Sequence, residues 1–376
     1  MKVYFDNAAT TPVDPLVFEE MKPYLMGTFG NPSSIHSHGR KVKAAVEVAR
    51  RTVAELLSTS PSEIFFTSGG TEADNMAIRC SVASHNIKHI VTSRLEHHAV
   101  LHTVQMLENT GIKVSYVEFD ESGRIDMPHL EALLKENPNT LVTLMHANNE
   151  IGNLLNLEKT GELCAEYNAV LHSDTVQTIG HYTHDLSKLK AHCIVGSAHK
   201  FHGPKGVGFL YLDADHKINP FIYGGAQERN MRGGTENVSG IIGLAKALEI
   251  AYENLADHQK HIAGLKQQMI ELLKENFSDL QFNGVSSEMN DSLYTVLNVS
   301  LPPSDSNDML LFNLDINGIS ASGGSACSSG TDVGSHVLNA LKSDPKRGAV
   351  RFSFSKYNTE EEVSYTVSKL VEIYGK

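Results

Sequence analysis

The sequence predicts an α/β protein: a mostly parallel central sheet covered by helices on both faces, with a smaller α+β unit beside it. Three observations carry this. From about residue 60 to 215, short β-branched runs alternate with helix-period segments, the pattern of βαβ units. Polar residues suited to chemistry fall directly after several of those runs, where ligands sit in such sheets. The 376 residues are 41% hydrophobic, enough for a large core. At ~100–200 residues per domain, that length suits two domains, or one large domain with an appendage.

Residues 40–57 read as an amphipathic helix, because Val42, Val46, Ala49, Val53 and Leu57 recur at spacings near 3.6. Strands are expected at 64–67, 89–92, 113–119, 140–145, 169–172, 192–195 and 206–212, with helices at 71–83, 98–108, 128–135 and 158–167. Residues 238–277 form one long helical stretch with few breakers, placed to bridge the main domain to a second unit. Strands at 293–299 and 350–354 then mix with helices at 308–314 and 360–374. The expected division is a large domain over 15–255 and a small one made of 1–14 with 256–376.

Composition narrows the function classes. Lys plus Arg number 32 and Asp plus Glu 44, a net charge of −12, which argues against a bulk electrostatic grip on nucleic acid or anionic membranes. No apolar run approaches the ~20 residues of a transmembrane helix. The start, MKVYFDNAATTP, has no apolar signal core. Cys80, Cys164, Cys193 and Cys327 lie far apart without a C-x-x-C. The expectation is a cytoplasmic protein with reduced thiols and neither nucleic acid nor membrane as partner.

Five constellations carry chemistry. Thr67-Ser68-Gly69-Gly70-Thr71-Glu72 lies between a strand and a helix; it reads equally as an anion cradle or as a helix cap with a tight turn. It matches neither the P-loop nor the dinucleotide fingerprint. Ser197-Ala198-His199-Lys200 puts a lysine at a strand end, where a depressed pKa would make it an amine nucleophile or proton shuttle. Asp174, in His172-Ser173-Asp174-Thr175-Val176-Gln177, suits a cationic ring nitrogen or a helix cap. Asn148-Asn149-Glu150-Ile151-Gly152 and Leu95-Glu96-His97-His98 follow two further strands. His98 and His102 could share a helix face, but no HExxH or cysteine ligand accompanies them, so no metal is expected. Together these strand ends suit one aromatic, phosphorylated, carbonyl-bearing cofactor, pyridoxal 5'-phosphate. Separately, residues 320–330 are all Ser, Gly or Ala except Cys327, the composition of a mobile loop carrying one thiol, expected over about 320–334.

The motifs also resemble a known family. TyrPheAspAsnAlaAlaThrThrPro from Tyr4, TSGGTEADN from Thr67, MHANNEIG from Met145, HSDTVQTIG from His172, SAHKFHGPKGVG from Ser197, GGAQERNMRGGT from Gly224 and SGGSACSSG from Ser322 are similar, in this order, to the cysteine desulfurases of the NifS/IscS type. These are class V aminotransferase-like enzymes with the pyridoxal-phosphate-dependent transferase fold, like that of aspartate aminotransferase. The resemblance implies that Lys200 is the Schiff-base lysine, Asp174 pairs with the pyridinium nitrogen, and His97 stacks on the ring. Gln177 and Asn149 would contact ring substituents, and Asn149 the substrate too. Gly70, Thr71, Ser197 and His199 would hold the phosphate, with Thr235 reaching it from the neighbouring subunit of a homodimer with shared active sites. Arg351 would clamp the substrate carboxylate, and Cys327 would take the sulfur and could contact a nascent iron–sulfur cluster. The implied reaction converts L-cysteine to L-alanine and passes the sulfur as a persulfide to an acceptor protein, a cluster scaffold or a thiolation enzyme. A selenocysteine lyase or an aminotransferase of the same fold is the alternative.

Overall fold

A computed structural model describes residues 1–323 and 334–375. Strand β1 (Val3–Tyr4) is followed by helices α1 (Pro15–Met26) and α2 (Ser37–Leu56). The alternating region then runs β2 (Ile64–Thr67), α3 (Gly70–Ser84), β3 (His89–Thr92), α4 (His98–Glu108), β4 (Lys113–Tyr116) and α5 (Met127–Glu136). It continues with β5 (Thr140–Thr143), α6 (Leu157–Glu166), β6 (Val170–Asp174), β7 (Cys193–Ser197) and β8 (Gly208–Leu212).

These strands form a seven-stranded sheet in the order β2-β8-β7-β6-β5-β3-β4. All neighbours are parallel except those of β8, which runs antiparallel to β2 and β7. The exception has a simple cause. The connection from Ser197 to Gly208 is too short for a crossover helix, so the chain must fold straight back. Strands β2, β3, β5, β7 and β8 are buried throughout, which is why they read as continuous apolar runs rather than alternating ones. Only β4, at the sheet edge, is half-buried, and it places Lys113 in solvent.

The expected helix over 238–277 is two helices, α7 (Val238–Glu253) and α8 (Leu255–Asn276). Asn254 divides them: its side-chain amide donates to the Ile250 carbonyl at 2.9 Å, a local bond that competes with helix continuation. The division matters because the two helices serve different cores. Helix α7 puts seven buried residues into the cluster around the sheet, against α1 and α2. Helix α8 contributes Ile262, Leu265, Met269, Ile270 and Leu273 to a second cluster.

That second cluster lies on a three-stranded antiparallel sheet, β9 (Gln281–Phe282), β10 (Val296–Pro303) and β12 (Arg347–Ser353), backed by α8 and α11 (Glu360–Ile373). Between these strands come α9 (Leu310–Ile316), β11 (Ile319–Ser320) and α10 (His336–Ala340). The N-terminus belongs here as well. Strand β1 pairs parallel with β11, and Phe5 is buried edge-on against Phe352 and Phe354. The chain therefore passes from one core to the other at residues 6–14, across the mouth of the larger sheet.

Other expectations shift at their ends. The strand expected to reach 119 stops at Tyr116, and the one expected to reach 145 stops at Thr143. Helix α1 was not expected. It starts at Pro15 behind an Asp14 cap that accepts the Leu16 N–H at 2.9 Å.

Candidate active site

The carboxyl ends of the parallel strands open into a cavity of about 860 Å³. Strand β6 ends on Asp174, and β7 ends on Ser197 before a single 3₁₀ turn, Ala198–Lys200. Helix α3 aims its first turn, Gly70 and Thr71, at the same space, and α4 begins at its cap residue His97. Asn149, Gln177, His199, Lys200 and Arg351 complete the lining. Ten of the twelve residues expected at the site thus meet in one cavity. Thr235 does not: it lies in a separate cavity of about 470 Å³ with Ser68, Arg232 and Gly206. Cys327 lies outside the described residues.

Lys200 is held by backbone. Its Nζ donates to the carbonyls of Ala8 at 2.6 Å and Ala9 at 2.9 Å. The N-terminal segment is itself fastened to the lysine turn, since Thr11 donates to the His199 carbonyl through both N–H and Oγ1, at 2.9 and 3.0 Å. Gln177 Nε2 donates to Ala8 as well, at 3.1 Å. The motif around Ala8 therefore works through main-chain oxygens, which a search for reactive side chains does not reveal.

His97 caps α4 by accepting the Ala99 N–H on Nδ1 at 3.1 Å, which assigns its proton to Nε2. Burial is the largest cause that lowers its pKa below the usual histidine value, so a neutral imidazole faces the cavity. Burial, with Lys200 and Lys205 nearby, brings His199 down to about 4; its Nδ1 lies 3.2 Å from Thr10 Oγ1.

Two acids within the quoted motifs were assigned no role from the sequence. Asp74, one turn after Thr71 on the same face of α3, is buried and lines the cavity. Burial and the charges of Asp174 and Glu96 push its carboxyl well above the ordinary carboxylate range. It stands 3.3 Å from Nε2 of His172, itself lowered to about 3 by burial. Glu96 is likewise pushed up by burial and accepts the Met145 N–H at 2.8 Å. The signal for Asp74 was its i, i+3 spacing from Thr71. What it does to charge is set by tertiary neighbours.

Arg351, on β12, is 1% exposed. Its Nη1 donates to the Asn149 carbonyl at 2.9 Å and its Nη2 to Asp6 Oδ1 at 2.8 Å. Its Nε has no hydrogen-bond partner among the described residues. An unpaired buried donor is costly, and the Arg351 side chain lines the cavity, where a guanidinium suits an incoming carboxylate.

The remaining donor set suits a phosphorylated pyridine. The cap of α3 is Gly69, which supplies no side-chain hydrogen bond, leaving the helix N-terminus available to an anion. A Cβ on Gly70 would stand 2.8 Å from Val176 Cγ2, so the backbone approaches as closely as only glycine permits. The hydroxyls of Thr71 and Ser197 flank this turn, with Asp174 further along the same cavity.

Comparison with known proteins agrees with this chemistry. The family model for aminotransferase class-V matches residues 3–366. A cysteine desulfurase IscS of Dictyoglomus turgidum is 41% identical over 379 residues, covering 100% of this chain and 95% of that protein. A putative cysteine desulfurase IscS 1 of Bacillus subtilis is 40% identical, covering 99% of this chain and 98% of its own. Among solved structures, a NifS-like protein superposes with a TM-score of 0.92 at 40% identity over 100% of both chains. The protein SspA, solved in complex with cysteine, gives 0.82 at 32% identity, covering 95% of this chain and 100% of its own. With this site on this fold, the chain belongs to the class-V aminotransferase family and, within it, to the cysteine desulfurases.

Proposed function

We propose that this desulfurase acts on L-cysteine with pyridoxal 5'-phosphate held at Lys200, and carries the sulfur away as a persulfide on Cys327. The observation that carries the reading is the meeting of Lys200, Asp174 and Arg351 in one cavity at the strand ends. When bound, the cofactor supplies an electron sink for the substrate carbon.

The chain's own residues do the rest. Asp174 pairs with the ring nitrogen while the neutral Asp74 beside it adds no second negative charge. Gly70, Thr71, Ser197 and His199 hold the phosphate, His97 covers the ring, and Asn149 and Gln177 contact its substituents. Arg351, which lines the cavity, takes the substrate carboxylate. Lys200 moves the Cα proton, kept in reach of the cavity by the Ala8 and Ala9 carbonyls. The Cys327 thiolate takes the substrate sulfur: the C–S bond breaks, an S–S bond forms, and the carbon is protonated to give alanine. Residues 15–255 form the cofactor domain, and 1–14 with 256–376 the small one.

A homodimer is supported by exposed apolar side chains on and after α1. Leu16, Leu25, Met26 and Phe29 are more than half exposed there, and Ile35 is 90% exposed. Thr235, exposed and away from its own chain's cavity, is the residue this dimer would deliver to the partner's phosphate. The sulfur acceptor is a protein, a cluster scaffold or a thiolation enzyme, and Cys327 contacts the nascent cluster there. A cytoplasmic location suits the free thiols of Cys80, Cys164 and Cys193.

The test supplies purified protein with pyridoxal phosphate, L-cysteine and a thiol reductant, and quantifies alanine and sulfide. Equal yields of both, lost in Cys327→Ala, are expected. Alanine that survives loss of the thiol would make it a lyase, and no alanine from the native chain would end the desulfurase reading.

A further inference from the structure

The Arg351 guanidinium already has a carboxylate. Asp6 Oδ1 accepts from Nη2 at 2.8 Å, and the same oxygen accepts from Ser322 Oγ at 2.8 Å. Arg351 and Ser322 are also joined by an antiparallel backbone bridge, with the Arg351 N–H reaching the Ser322 carbonyl at 2.6 Å. Asn149 holds Nη1, and Nε is unpaired among the described residues.

A guanidinium grips a carboxylate best through two parallel N–H bonds. The edge that includes the unpaired Nε is the one it shares with Nη2. Asp6 already takes one of the two N–H bonds of Nη2, so a ligand carboxylate arriving at this guanidinium meets the Asp6 charge beside it, and the two carboxylates compete for one cation.

We propose that Asp6 is a resident counter-ion at Arg351 that the substrate carboxylate displaces, and that this exchange sets how strongly the chain prefers ligands bearing a carboxylate. The proposal deepens the reading of Arg351 as the carboxylate clamp and rests on it. Asp6 keeps the buried cation paired between turnovers, and it opposes a carboxylate more than a neutral group of the same shape. Because Ser322 shares the oxygen, its hydroxyl weakens the resident pair. Ser322 lies five positions before Cys327 (327 − 322 = 5), so the exchange is registered at the start of the thiol-bearing segment. Asp6 is a positioning residue here and does not touch the reacting atoms.

The experiment titrates the holoenzyme with the product L-alanine and with L-alaninamide, whose neutral amide replaces the carboxylate, and follows cofactor absorbance. The readout is the ratio of the two dissociation constants. Asp6→Asn keeps the shape and both acceptor bonds but removes the charge, and the preference for alanine is expected to rise about tenfold. Ser322→Ala leaves Oδ1 to Arg351 alone, tightens the resident pair, and should lower the preference by about twofold to threefold. Opposite shifts from neighbouring variants are not what general loosening produces. A preference unchanged or reduced in Asp6→Asn overturns the proposal, and so does a rise in Ser322→Ala. Arg351→Ala separates the two readings. If the native preference is absent, or survives that substitution, the clamp itself is wrong. If the preference collapses there while Asp6→Asn leaves it alone, only the counter-ion is wrong.

Discussion

Lys266 gives the sharpest physical test. It lies on α8 with 0% exposure, and its Nζ donates to Ser292 Oγ at 2.8 Å and to the Leu293 carbonyl at 2.9 Å. Two acceptors match the two N–H bonds of a neutral amine. Burial alone lowers its pKa from 10.5 to about 7. The unfolded chain holds this proton up to about 10.4, whereas the folded chain releases it near 7. Between those values the unfolded state binds more protons, so stability rises with pH; below about 7 both states are protonated and the effect is flat. From pH 7 to pH 9 the gain is about 2 kcal/mol, taking 1.36 kcal/mol per unit and allowing for half-titration at the lower end. The perturbation is Lys266→Met, which removes the titration and keeps an unbranched chain. Urea unfolding of both proteins at several pH values measures it as a difference, so other titrating groups cancel. The native protein should gain about 2 kcal/mol on the variant between pH 7 and 9. Parallel curves would refute the reasoning and show an ammonium at 266 throughout. The site has a stake in the result, because Leu293 donates its own N–H to the Gly152 carbonyl at 2.7 Å, in the turn that begins at Asn149.

Three further predictions follow from the geometry. Gly70→Ala brings a Cβ to 2.8 Å from Val176 Cγ2 and should weaken the apo protein's affinity for pyridoxal phosphate about tenfold, read by fluorescence titration; unchanged affinity would mean the α3 turn is not the phosphate cradle. Burial pushes the Asp74 carboxyl well above the ordinary carboxylate range, so Asp74→Asn should keep alanine production within about threefold, while Asp174→Asn loses on the order of a hundredfold; equal losses contradict that division. Glu228 forms a doubly bonded pair with Arg50 at 2.7 and 2.8 Å, both side chains 3% exposed. Glu228→Gln should lower unfolding free energy in urea by about 3–5 kcal/mol, and a loss under 1 kcal/mol would show the buried cation finding another partner.

The elements most legible in the chain were those whose signals are local. Helix α2 keeps Val42, Val46 and Val53 buried at their 3.6-residue spacing, and strands β2 and β3 run where their apolar residues lie. Local rules failed where a contact from elsewhere decides. Nothing in the apolar pattern of 238–277 marks Asn254 as a divide, because the two halves read alike until each meets a different core. Helix α1 leaves Leu16, Phe18, Leu25 and Met26 exposed, so its apolar residues do not trace one buried stripe. At the site, side chains with evident chemistry could be picked out individually. Carbonyl oxygens of Ala8 and Ala9 could not, since every residue has one.

The sequence by itself therefore determined the alternating architecture, the strand ends that carry Asp174 and Lys200, and the candidate set around them. Periodicity and residue chemistry are properties of short windows, so they survive without the fold. Tertiary structure alone decided how those groups are held and charged. Asp6 meets Arg351 across 345 positions, and Lys200 meets Ala8 across 192. The Asp74 carboxyl is pushed well above the ordinary carboxylate range because burial and the charges of Asp174 and Glu96 act on it. Field and desolvation depend on distances through space, and a linear order of residues does not contain them.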